Sequence, residues 1–219
     1  ALRCRVLVAA GAAQKQVGDP AYRETLLEAA SLAKELGDTE VLVEAALTNN
    51  RGYHSNSGVT DHERVAALED ALDAVGDADS VERALLLATL CAESNFHQPQ
   101  DELQRLADEA LAMARRLGDA RTISEVLSRT RVAVHFLETV EERFPLYVES
   151  RRLADQVDDP VVTFHAAQAL LWAGAHVAEA ARKLGAAVAD AVTGVGAPPT
   201  PRPAAAAGER VSRPGDPRR

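Results

Sequence analysis

Six histidines, His54, His62, His97, His135, His165 and His176, are the side chains of this sequence best suited to hold a metal or move a proton near neutral pH. Their spacing gives them no shared role. His165 and His176 fall on one expected helix, but eleven residues separate them by about 16 Å along its axis, too far to share an ion. Asp61, His62 and Glu63 are adjacent, at what reads as a helix start, where acidic groups favour the helix dipole. The two cysteines, Cys4 and Cys91, match no metal or redox spacing and read as reduced thiols of a cytoplasmic protein. No GxxxxGK[ST] phosphate loop, GxGxxG turn, HExxH pair or GxSxG elbow occurs. The sequence therefore predicts no catalytic residue, no metal and no cofactor, and a protein that is not an enzyme and neither binds nor hydrolyses ATP.

Two stretches suit recognition better than reaction. "NNRGYHSNSG" (49–58) is the longest polar break within the body of the chain and clusters Asn49, Asn50, Arg51 and Tyr53. A loop that long between helices often carries function; the alternative is a solvated connection turned by Gly52 and Gly58. The second is "PVVTFHAAQALLWAGAHVAEA", which holds the one tryptophan. There Val162, Ala166, Leu170, Ala173 and Val177 make an apolar stripe. His165, Gln168, Trp172 and His176 make a second, rotated from it by roughly 115° at 3.6 residues per turn. A tryptophan among polar groups offers apolar area together with an N–H donor. The alternative is that Trp172 packs against the following helix. These eight residues are the expected binding groups for a partner or ligand.

The elements that must position them can be read from a repeat. "EAASLAKELGD" (28–38) and "EALAMARRLGD" (109–119) share Glu, Ala, Ala, Leu, Gly and Asp, with looser copies at 69–77 and 149–159. Their leading glutamates, Glu28, Glu69, Glu109 and Glu149, recur at a period of about forty, room for two helices and their turns. Glycine past the last turn takes a left-handed conformation without a Cβ clash, and the following Asp accepts from the free amides that open the next helix. Asp19-Pro20 and Asp159-Pro160 place proline at a helix start; "TDHE" (60–63) and "DSVE" (79–82) read as capping boxes. Helices are expected at 2–17, 20–36, 39–50, 61–75, 80–96, 101–117, 120–137, 140–157 and 160–178, with Pro145 suggesting a later start for the eighth. No segment shows strand alternation. Hydrophobic residues make up 47% of the 219 but aromatics only 4%, which suits helices packed through small side chains. The expected fold is all-α: an α-solenoid of antiparallel helix pairs, tetratricopeptide-like, with the Gly-Asp helices on the outside.

Residues 1–180 read as this helical-repeat domain and 181–219 as an Ala/Pro/Arg-rich tail. The tail holds six of the ten prolines and too few large apolar residues to offset its ordering entropy, so it is expected to be disordered. The net charge of −9 divides into +4 from Arg182 onward and −13 before it. A body this acidic is a poor binder of nucleic-acid phosphates. No run approaches a membrane span and no signal peptide is seen. Beginning at Ala, with Met113 its one methionine, the sequence reads as a segment of a longer protein.

"DPAYRETLLEAASLAKELGD", "NNRGY", "ERVAALEDAL" and "DEALAMARRLGD" resemble the tetratricopeptide-like region of large bacterial ATP-dependent regulators. In these an AAA/STAND-type nucleotide-binding domain precedes the helical repeats, and a LuxR-type helix-turn-helix, another DNA-binding domain or a nucleotide cyclase is fused to them. The resemblance covers about residues 3–178. It implies a non-enzymatic interaction and sensing module in the cytoplasm. Its partners would be another protein, other domains of its parent chain or a small inducer, with no direct contact to nucleic acid or membrane. An accessory helical domain of a nucleotide cyclase is the alternative. No catalytic residue is carried over, because none of the matching motifs is catalytic.

Overall fold

The structure is a computed structural model that describes residues 2–51, 58–134, 140–157, 159–171, 174, 175, 178 and 182. By internal contact the chain divides into two units, Ala1–Ala180 and Ala181–Arg219, and the account below concerns the first. Its helices are α1 (Leu2–Gln16), α2 (Tyr22–Leu36), α3 (Thr39–Thr48), α4 (His62–Val75), α5 (Val81–Glu93), α6 (Gln100–Leu117), α7 (Ala120–Val134) and α8 (Val140–Ala154). A further helix, α9, is described over 160–171. No strand occurs among the described residues. The fold is all-helical.

The punctuation explains the short connections. Gly37 sits at φ 66°, ψ 23°; its N–H and that of Asp38 bond back to the carbonyls of Lys34 and Ala33, closing α2 in a Schellman motif. Asp38 then accepts from the Val41 amide to open α3. Between α6 and α7 the Gly118 N–H instead bonds the Ala114 carbonyl in an αL cap, and Asp119 accepts from the Thr122 amide at 2.8 Å to open α7. The Gly76-Asp77 copy differs. Gly76 lies at φ 71°, ψ −167°, a region essentially reserved for glycine, and Ser80 rather than Asp77 caps the next helix. Both expected capping boxes are displaced by one residue: Asp61 accepts from Arg64 and Ser80 from Arg83, so the third helical position holds arginine in each. Proline behaves unevenly. Pro160 opens α9 as expected, Pro20 lies in a turn two residues ahead of α2, and Pro145 is inside α8, which begins at Val140 rather than later.

Each helix from α1 to α8 packs on the next in sequence, and α1 also meets α3, α2 meets α4, α3 meets α5 and α5 meets α7. One continuous apolar core runs from Cys4 of α1 to Leu153 of α8, much of it alanine and leucine. The i, i+3, i+4, i+7 spacing of Leu103, Leu106, Ala107, Ala110, Leu111, Ala114 and Leu117 predicts one apolar face on α6; all of it is buried except Leu117, which is exposed at the helix end. Val162 and Ala166 of α9 are buried against Ala154. Polar contacts also join alternate helices. Arg5 bonds Glu40 (α1 to α3), Lys34 bonds Asp70 (α2 to α4), Arg129 bonds Thr89 (α7 to α5) and Arg115 bonds Glu149 (α6 to α8), partners 34 to 40 residues apart.

Candidate functional site

Helix α7 carries a face that is polar without being peripheral. Arg121, Ser124, Glu125, Ser128 and Arg129 recur at the three- and four-residue spacing of one stripe, while Ile123, Val126 and Leu127 are buried in the core. This stripe is the floor of a cavity of about 290 Å³. Thr89, Ala92 and Glu93 of α5 form one wall; Val161, Val162 and His165 of α9, with Asp159 ahead of them, form the other. Asn50 and Arg51, just past α3, close one end.

Three arginines and three carboxylates line this space, each arginine engaged with an acid. Arg51 donates its backbone N–H to Glu93 Oε1 at 2.9 Å and its Nε to Oε2 at 2.7 Å, and its Nη1 reaches the Val59 carbonyl at 2.7 Å. Glu93 is 4% exposed, so this pair is shielded from water. Arg129 donates Nη1 to Thr89 Oγ1 at 2.9 Å and Nη2 to Glu125 Oε2 at 3.1 Å. Arg121 donates Nη1 to Asp159 Oδ2 at 2.8 Å and lies 3.8 Å from Glu125 Oε1, beyond hydrogen-bond reach. Arg121, with help from the Val161 and Val162 amides on its other oxygen, holds the Asp159 carboxyl below its ordinary range. The cavity wall is thus charged in detail and neutral in sum.

Behind the α3 end stands a second network. Arg64 of α4 is 5% exposed, with its Nε on Asn49 Oδ1 at 3.1 Å and its Nη2 on the Tyr22 hydroxyl at 3.0 Å, 5.3 Å from that ring's centre. Asn49 donates Nδ2 to the Arg23 carbonyl at 3.2 Å. Lys15 donates to the Thr48 carbonyl at 2.8 Å; burial, then the Arg129 and Arg64 charges, bring its ammonium down to about 8.

Of the eight residues expected to bind, the structure brings Asn50, Arg51 and His165 to one cavity, although more than a hundred residues separate them. It does not place Asn49 or Gln168 there. Asn49 is 3% exposed and ties α2, α3 and α4 together. Gln168 accepts from the buried Arg131 of α7 at 3.2 Å. Tyr53, Trp172 and His176 lie outside the described residues, as do Gly52, His54, Ala173 and Val177. Reading the sequence missed the α7 floor, the largest contribution to the site. Its signal was available: charge and hydroxyl at 121, 124, 125, 128 and 129, against apolar 123, 126 and 127.

No family model, curated protein or solved structure matches the chain in comparison. Among the described residues no group of His, Cys, Asp and Glu is placed to hold a metal, and no helix is long and apolar enough to cross a membrane.

Proposed function

We propose that the chain is a tetratricopeptide-like α-solenoid that serves as a non-enzymatic interaction and sensing module of a bacterial ATP-dependent regulator, in the cytoplasm. The single observation that carries this reading is the cavity floored by α7. It draws its lining from the segment just past α3 and from α5, α7 and α9, alternate parts of the helix series, as an inner face shared by stacked pairs would. Packing of α1 to α8 chiefly on neighbours and next neighbours, and polar pairs spaced by about one repeat, support the stacked arrangement. A concave site with a few placed polar groups and apolar patches is the usual form of a binding site. In this reading a partner segment or inducer occupies the inner face and biases the regulator's ATPase switch.

The test begins with the coding sequence on both sides of this segment, read in the same frame. An ATPase domain with a phosphate loop upstream, and a DNA-binding domain downstream, are expected. Hydrogen–deuterium exchange of the 219-residue chain against that ATPase domain should then protect 84–93 and 120–131. Flanking sequence without an ATPase domain, or protection confined to α2, α4 and α6, would contradict the proposal.

A further inference from the structure

We propose that the α7 cavity takes a small zwitterion, a molecule carrying one carboxylate and one ammonium group, of the size of a free amino acid or a dipeptide. The inference rests on the reading of this face as a binding surface and specifies its ligand. Size is the first constraint: about 290 Å³ lies at the lower end of the range for small-molecule sites. Charge is the second. The lining sums to zero, so a ligand with net charge of either sign would meet no excess of the opposite one.

The third constraint is the bonding capacity left over after the internal pairs form. Both Glu93 oxygens are taken by Arg51, and both Asp159 oxygens by Arg121 and the opening amides of α9. Glu125 Oε1 is different: Arg129 bonds the other oxygen of that carboxylate and Arg121 stands 3.8 Å from this one, beyond hydrogen-bond reach, so it can accept from an ammonium. Four residues before it and four after it on the same face stand Arg121 and Arg129, each bonding through Nη atoms and leaving Nε for a carboxylate. Anion-binding and cation-binding capacity therefore alternate along one stripe at a spacing of about 6 Å per four residues, within the span of an amino acid's two charged groups and their surrounding contacts. A buried polar atom points the same way. Ser124, 3% exposed and on the same wall, has an Oγ without a hydrogen-bond partner among the described residues, which a ligand that reorders this stripe would satisfy. The Ala92, Val161 and Val162 side chains supply an apolar patch for the ligand's side chain.

The experiment is isothermal titration of the full chain with glycine, L-leucine, L-glutamine and L-alanyl-L-alanine, beside acetate, butylammonium, glucose and ATP. At least one zwitterion should bind saturably and at least tenfold more tightly than acetate or butylammonium. Glu125→Gln, and independently the exposed-site change Arg121→Gln, should each weaken that binding tenfold or more with an unaltered helical circular dichroism spectrum. Tightest binding by acetate, butylammonium, glucose or ATP would overturn the zwitterion assignment while leaving the face a binding surface. Saturation by none of the eight, or wild-type affinity in both variants, would also overturn it, and the exchange footprint would then decide the wider reading by itself.

Discussion

At the residue scale, the densest electrostatic work lies at the opening of α4, where Arg23 grips Asp61 through Nε and Nη2 at 2.7 Å each. That fork, aided by the Arg64 amide, brings the Asp61 carboxyl down to about 2. A carboxyl depressed in the folded state adds stability above its unfolded pKa and loses it as pH falls through the folded one. The contribution here is roughly 2 kcal/mol, complete above about pH 5 and lost progressively as pH falls through about 2. Asp61→Asn should therefore be less stable than the parent by about that amount near pH 7, with the gap closing on acidification. Urea unfolding of both proteins across this range measures it, and a gap independent of pH would show that the cap rather than the charge carries the effect. Individual roles were the least legible part of the sequence. Asn49 and Asn50 are adjacent and alike, yet one is locked between Arg64 and the Arg23 carbonyl while the other faces the cavity. Only the packing of α2 and α4 around the end of α3 separates them.

The scale of elements was far more legible, because glycine and acid punctuation acts locally. Gly118 at φ 74° has no atom within 4 Å of where a Cβ would stand, so its glycine requirement is conformational and not steric. Gly118→Val should cost roughly 1 kcal/mol or more, read as a lower melting temperature. Gly11 is the opposite case. It lies within α1 at ordinary helical φ, and a Cβ there would stand 2.5 Å from Leu26 Cγ and 2.7 Å from Cδ2 of a fully buried leucine. Gly11→Val should destabilise by about 1–3 kcal/mol through overpacking, despite the better helix propensity of valine. A double change with Leu26→Ala should recover part of that loss, and no recovery would place the strain elsewhere. What local rules missed follows from the same contrast. The capping boxes slipped by one residue because Asp61 and Ser80, each one position inside the expected cap, hold the extended conformation a cap needs. Helix α8 begins at Val140 and passes through Pro145, whose missing N–H removes one helical hydrogen bond, and nothing in the structure explains the earlier start.

At the scale of the whole molecule, the proposed array of helix pairs would differ from a globule in where its stability resides. Helices α1 to α5 each pack on their immediate neighbours, and α1 also meets α3, α2 meets α4 and α3 meets α5, so in a stacked array the stability of one end would depend weakly on the other. The all-helical fold was legible in the sequence; the cavity was not, since its lining comes from segments spread over more than a hundred residues and is assembled only when the helices pack. Native-state hydrogen exchange on the chain and on a version ending at Ala154, without α9, tests the stacked-repeat arrangement most directly. Removing α9 exposes Val162's partner surface on α8 and strips one wall from the α7 cavity, so amides of α7 and α8 should lose protection. Amides of α1 to α4 should keep theirs to within about threefold, since none of their packing is lost. A uniform fall in protection from α1 to α8 would contradict the stacked-repeat arrangement and show one cooperative globule instead.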